Sequence, residues 1–312
     1  MSEKSHLQTV SIPVYSKLQQ GIAFVFLSLI LLTATEAFTR FGIATVIWLI
    51  IYAGSLLYIV LDYNRFVTSL IISWPAILVP FLALLSAFWS ESPEWSLYAS
   101  LQLIYTMMIA IWIATRFDIT TVFIALALAA GLGVGASVFN EYVQFINPYQ
   151  EMEYHGAPSI LIGIYNQKNG LGNTIGILTF ALLIIGIKYR KLVFVLFIAL
   201  LLIFPLQKVQ SSRSILIYIL TMGLPLYWLI LQKKGQRFLV LLITTVIILL
   251  CSFLLLILDI DPINFGLESI GKDSTLTGRT IIWSVGLNVF EQNPILGVGY
   301  QAFWQPGVFE EV

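Results

Sequence analysis

The sequence predicts an all-α, polytopic membrane protein of about nine transmembrane helices, and two observations carry that prediction. The first is composition. Of 312 residues, 59% are hydrophobic and only 10% charged, and the mean hydropathy is +0.92. A soluble domain carries about 25% charged residues, so this chain lacks the charges to coat a water-exposed surface. The second is that the apolar residues come in long blocks, so the solvent they face is lipid. Formal net charge is zero, which argues against a nucleic-acid partner. The single cysteine, Cys251, lies inside an apolar block, so it forms no intrachain disulfide and reads as a small packing residue.

A spanning helix needs about 20 mostly apolar residues. Blocks of this kind lie at Gly21–Thr35, Phe41–Leu61, Thr68–Phe88, Leu97–Thr115 and Thr121–Phe139. Four more follow at Leu171–Ile187, Leu192–Leu206, Ile215–Leu231 and Phe238–Leu258. The first and seventh are short. The first follows a polar, lightly basic stretch, as a signal peptide does, but eight further spans anchor the chain, and it is read as a span. This divides the chain into a cytoplasmic tail (residues 1–20), a transmembrane domain (21–258) and the start of a large extracytoplasmic loop (259–312).

Lys and Arg in short loops set orientation. Lys188, Arg190 and Lys191 precede the seventh block, and Lys233, Lys234 and Arg237 precede the ninth. Two spans separate these clusters, so they share a side. Placing that side in the cytoplasm puts Lys4, Lys17, Arg65 and Arg116 there too, against only Glu3, Asp62 and Asp118. The opposite side holds Arg40, Lys168, Lys208, Arg213, Lys272 and Arg279 together with every remaining acid. The N-terminus is therefore expected inside.

The polar chemistry gathers on the outer side in three stretches. The first, Asn140 to Gly170, holds Glu141, Glu151, Glu153, His155 and the run Gly163-Ile164-Tyr165-Asn166-Gln167-Lys168-Asn169-Gly170. The second is the turn Gln207 to Ser214. The third runs from Asp259 onward and includes Thr277-Gly278-Arg279, an expected helix Thr280–Glu291, and Asn293-Pro294-Ile295-Leu296-Gly297-Val298-Gly299-Tyr300.

Cations on this otherwise acidic side call for a reason. Lys208 and Lys272 either pair with a nearby acid, snorkel to headgroups or serve a ligand. Arg213 opens a span and is flanked by Ser211, Ser212 and Ser214, whose hydroxyls can cap the helix and leave its first N–H groups aimed outward. An arginine beside a helix N-terminus makes an anion site, and its fork suits phosphate oxygens. Arg279 sits the same way, with Thr277 or Gly278 as the expected N-cap. Two such arginines could grip one diphosphate.

Other signals are weaker. Gly131-Leu132-Gly133-Val134-Gly135 looks like a nucleotide loop but lies within a span, so close helix packing is the better reading, as it is for Gly172 and Gly176. His155 is the one histidine outside the cytoplasmic tail, and with scattered acids it makes no metal-site pattern, so no metal or other cofactor is expected. Glu141 reads as an ordinary loop carboxylate, with a base as the other possibility.

These stretches resemble, in order and spacing, the O-antigen ligase and polymerase superfamily, in particular its exopolysaccharide polymerase branch. The matching pieces are Gly163 to Gly172, Ser212-Arg213, Gly278-Arg279 followed by Trp283, and Asn293-Pro294-Ile295-Leu296-Gly297-Val298-Gly299. The match spans residues 163–303, and residues 1–160 add a compatible helix count. The resemblance implies a metal-independent glycosyltransferase of the membrane-embedded GT-C type in the bacterial cytoplasmic membrane. Its donor is a glycan on polyprenyl diphosphate, such as undecaprenyl diphosphate, and its acceptor is another glycan. Arg213 and Arg279 match the arginines that bind the diphosphate. Lys168 and Asn169 match a polar motif, and with Asn166 and Ser212 they are the expected substrate contacts. The family's outer loop continues past Gly-x-Gly to a histidine, the usual candidate base. Here no histidine follows His155 and the sequence ends at Val312, so the chain is expected to be cut off within that loop and to lack that base.

Two other classes compete. A lipid-linked glycan flippase or transporter would show ionisable residues near the middle of spans and matching helix breaks in two halves. Pro75, Pro80, Pro205 and Pro225 interrupt spans, but no charge sits centrally in any block and no internal repeat is visible. A non-catalytic membrane component of a polysaccharide assembly complex is the other.

Overall fold

The computed structural model describes residues 17–150, 160–232, 238, 242, 244, 245 and 279–305. The described residues are mainly helical, with short connections and one two-residue antiparallel ladder. Tyr149–Gln150 (β1) pairs there with Ile160–Leu161 (β2). The helices are α1 (Lys17–Ala34), α2 (Ala44–Leu61), α3 (Tyr63–Ile72), α4 (Trp74–Leu85) and α5 (Pro93–Arg116), then α6 (Ile119–Val143), α7 (Lys168–Lys188), α8 (Leu192–Val209), α9 (Ser212–Leu231) and α10 (Arg279–Gln292). Seven of them are long and apolar enough to cross a membrane. This is an all-α polytopic membrane protein. The ninth expected span, Phe238–Leu258, lies almost wholly outside the described residues, as do Cys251, His155 and Lys272.

One expected span needs correction. Thr68–Phe88 is not a straight helix: α3 and the α4 segment meet at 85°. Pro75 explains the break. It sits in the first turn of α4, donates no N–H to the preceding turn, and its ring clashes with a helical carbonyl there. Proline also disfavours helical geometry at Trp74 before it. The chain therefore stops at Ile72 and restarts at Trp74.

Helix faces show which solvent each meets. On α8, Val195, Ala199, Leu202 and Leu206 are buried, while Val193, Phe197, Leu200, Leu201 and Phe204 are exposed. That is one inward stripe at helical spacing and one lipid-facing stripe. α7 is the most enclosed span and packs against α6, α8 and α9. Its small residues permit this. A Cβ at Gly172 would land on the Ser214 side chain, and one at Gly176 would meet Ile217. Gly133 of α6 likewise makes room for the Tyr165 hydroxyl. Close packing is thus what these glycines do.

Among the described residues, two larger apolar clusters result, beside a small one of Val289, Val298 and Ala302. One joins α6, α7, α8 and α9 through Ala130, Leu171, Ile175, Leu206 and Tyr218. The other joins α1, α2, α3 and α5 around Trp112, with Ile30, Ile51 and Phe66. α1 borders both.

Polar contacts between helices sort to the two ends of the bundle. At one end Arg116 pairs with Asp62 at 2.7 Å, and Lys188 bonds to Thr120. At the other, Lys208 pairs with Glu141, Arg40 donates to the Gly163 carbonyl at 2.7 Å, and Ser211 donates to Asn169. These are the two groupings that charge patterning makes from the sequence.

Candidate functional site

The start of α9 is built by a serine cap. Ser211 is extended (φ −118°, ψ 109°) and its side chain accepts from the Ser214 N–H at 3.3 Å. The helix begins at Ser212, so Arg213 stands in its first turn. This is the cap expected from the serine cluster. The start of α7 lies directly beside it. The Ser211 hydroxyl donates to Asn169 Oδ1 at 2.8 Å, and Lys168 Nζ donates to the Gln210 carbonyl at 3.4 Å. Gly172 lets the two helices approach this closely. Two helix N-termini, each the positive end of a helix dipole, therefore meet at one place.

A cavity of about 320 Å³ opens there. Its walls come from Thr35 and Glu36 after α1, from Gln167, Asn169 and Asn173 of the α7 start, and from Arg213. Among the described residues, Arg213 and Glu36 share the cavity without forming an ion pair. Asn173 Oδ1 is buried and has no hydrogen-bond partner there. The volume falls within the roughly 300–1,000 Å³ range of small-ligand sites. A guanidinium, amide groups and two helix starts suit a phosphate group.

Of the expected site residues, Arg213 and Asn169 line this cavity. Lys168 sits beside it on Gln210. Asn166 is exposed, Ser212 is half-buried, and neither is among the lining residues. Arg279 opens α10, one residue earlier than the expected helix start, but its side chain lies outside the described residues. Glu141 is engaged by Lys208 and by the Tyr149 hydroxyl at 3.0 Å. Burial and that carboxylate raise the Tyr149 pKa above its ordinary value. The ion pair foreseen as one role for Lys208 is present. Among the described residues no three His, Cys, Asp or Glu side chains gather where a metal could bind.

Sequence reasoning passed over Glu36. It is the acid nearest the end of the first block, which was the only signal available, and the fold brings it to the same cavity as Arg213. Reasoning also missed what Asn293–Tyr300 does. This stretch docks on the turn between α4 and α5. Trp89 Nε1 donates to the Leu296 carbonyl at 2.9 Å, the Glu91 N–H to Val298 at 3.1 Å, and Ser96 Oγ to Tyr300 at 2.8 Å. The Tyr300 N–H donates to Ser86 Oγ at 2.8 Å. Gly299 has φ +100°, and a Cβ there would strike Ser90. The glycines of this motif serve a docking strap.

A larger groove of about 800 Å³ lies at the opposite end, between Gly186, Phe194 and Leu229 with Arg190 and Lys191. Its walls are mostly apolar, and it brings together no set of polar groups for chemistry.

Residues 208–311 match the family described as O-antigen ligase. The chain resembles the O-antigen ligase and exopolysaccharide polymerase family. The matched segment contains Lys208, Arg213, α10 and the docking strap. The chain is also similar to the exopolysaccharide production protein ExoQ of Rhizobium meliloti (strain 1021), with 29% identity over 235 residues. That alignment covers 73% of this chain and 52% of ExoQ, so the chain spans about half the length of the relative it matches. No solved structure matches it.

Proposed function

We propose that this protein is a membrane glycosyltransferase that joins glycans, as a polysaccharide polymerase or ligase, at the outer face of the bacterial cytoplasmic membrane. The donor is a glycan on polyprenyl diphosphate, such as undecaprenyl diphosphate, and the acceptor is a hydroxyl of another glycan. The observation that carries the reading is one polar cavity lined by Arg213 at the start of α9 and Asn169 at the start of α7. The family match over residues 208–311 and the similarity to an exopolysaccharide production protein support it.

In this reading the donor enters sideways between helices. Arg213 and Arg279 neutralise the diphosphate as the glycosyl bond breaks, where charge builds in the transition state. Lys168, Asn166, Asn169 and Ser212 contact the phosphates or the first sugar. The acceptor hydroxyl attacks the anomeric carbon with inversion and with help from a base. No metal takes part.

Incubation of the purified protein in lipid nanodiscs with lipid-linked repeat units tests this. Glycan joining with release of polyprenyl diphosphate is the expected result. Movement of the donor between leaflets in proteoliposomes, without joining, would overturn it in favour of a flippase.

A further inference from the structure

The broad groove at the opposite end of the bundle is shaped by one turn. α7 ends in a Schellman arrangement, in which the Lys191 N–H donates back to the Gly186 carbonyl at 2.8 Å and the Arg190 N–H to Ile187 at 3.4 Å. The left-handed residue of that turn is Arg190, at φ +55°, a place that usually falls to glycine. Gly186 lets α8 start close against α7, since a Cβ there would strike Val195. α8 and α9 both pack on α7, and the Tyr218 hydroxyl of α9 joins them by donating to the Ala199 carbonyl of α8. Toward the Arg190 turn a groove of about 800 Å³ opens among the end of α7, the start of α8 and Leu229 of α9.

The lining of this groove sorts by chemistry. Arg190 and Lys191 are exposed cations, and no acid stands among the described lining residues. Lys188, the third cation of the cluster, is engaged by Thr120 of α6. The remaining lining side chains are apolar. Phe194 and Phe197 among them are exposed and belong to the lipid-facing surface of α8, so the groove is continuous with that surface. A water-soluble anion would leave these aromatic and aliphatic walls uncovered. A neutral lipid would leave two cations without a counter-charge. The loop charges place this end on the cytoplasmic side, where basic pockets between spanning helices take anionic headgroups.

We propose that this groove binds an anionic phospholipid of the cytoplasmic leaflet, with Arg190 and Lys191 on its phosphate and its acyl chains along Phe194, Phe197 and Leu229. The bound lipid fills the space between α8 and α9 and so braces both against α7. The site stands apart from the diphosphate reading of the other end of the bundle and does not depend on it.

Binding of phosphatidylglycerol and phosphatidylcholine with identical acyl chains to the purified protein in neutral detergent, followed by native mass spectrometry and by the thermal midpoint, tests this. A cation beside an anionic headgroup strengthens binding by about 5-fold, so two cations predict a preference for phosphatidylglycerol of roughly 25-fold. Phosphatidylglycerol should also raise the midpoint, because it binds only the folded protein. The double variant Arg190→Gln with Lys191→Gln should lose most of that preference. Arg190→Gly suits the left-handed backbone, so its midpoint without added lipid should match or exceed wild type while phosphatidylglycerol binding falls about 5-fold. Val193, which lines the groove and is 84% exposed, can be enlarged without disturbing the core, and Val193→Trp should weaken binding of both lipids by filling the groove. Equal affinity for the two lipids, or phosphatidylglycerol affinity unchanged in the double variant, overturns the proposal. So does displacement of phosphatidylglycerol by water-soluble glycerol phosphate, which marks a plain phosphate site, or by a lower concentration of undecaprenyl phosphate, which marks a carrier-lipid site.

Discussion

Arg213 and Gly172 show how single residues shape the site. Arg213 is the cation that the sequence marks by its company, three serines at the start of a span on an otherwise acidic side. The fold confirms its setting in a capped helix start and adds the cavity it faces. Gly172 is less conspicuous in the sequence, yet it sets the distance between α7 and α9, because Ser214 occupies the space a Cβ would take. Gly172→Ala is expected to push the two helix starts apart. Overpacking of this kind costs about 1–3 kcal/mol, read as a lower thermal midpoint in detergent, and donor binding should weaken in the same variant. Glu36 was not legible, because a glutamate beside a span end is ordinary until the fold brings it into one cavity with Arg213.

Among the elements, α6 and α9 both start on side-chain caps. Ser211→Ala removes the α9 cap and the bond to Asn169, and the cap alone is worth about 1 kcal/mol. Amide exchange in the first turn of α9 should rise. Asp118 caps α6 by accepting from the Thr120 N–H at 3.0 Å and the Thr121 N–H at 3.3 Å. Its hydrogen bonds from Thr121 and Thr120 hold its pKa below the ordinary aspartate value. A lowered native pKa means that the ionised form stabilises the fold. That contribution is complete above the unfolded-state pKa and disappears as pH falls through the lowered native one. Asp118→Asn should therefore flatten the acid side of a stability-versus-pH curve measured by thermal denaturation. Among the described residues, helix existence was readable from the sequence, because twenty-residue apolar blocks leave little choice in lipid. The bend at Ser73 was not, although Pro75 was in plain view. Hydropathy runs unbroken across it, and only backbone geometry decides whether proline kinks a helix or ends it.

Across the described residues, the two larger apolar clusters meet along α1 and are pinned by polar contacts at both ends. The Asp62–Arg116 pair ties α2 to α5, with both side chains almost fully buried, and Arg116 also lies over the Tyr58 ring at 5.3 Å. Removing one partner leaves a buried charge, which costs roughly 3–5 kcal/mol. Asp62→Ala should lower the unfolding midpoint strongly, and pairing it with Arg116→Met should restore part of the loss. Charge patterning gave the grouping of loops by side, since cations in short loops obey a simple rule. It did not reveal the strap from Asn293 to Tyr300 on the α4–α5 turn, because that contact bridges about two hundred residues of sequence through backbone carbonyls that carry no side-chain signal. The central claim is that the cavity between the starts of α7 and α9 holds the donor diphosphate. Equilibrium binding of undecaprenyl diphosphate to the protein in nanodiscs, wild type against Arg213→Ala, tests it most directly. A charge-assisted hydrogen bond is worth about 1.5–3 kcal/mol, so the account predicts affinity falling roughly 10-fold or more, with weaker salt dependence. Equal affinity in the two proteins would contradict it.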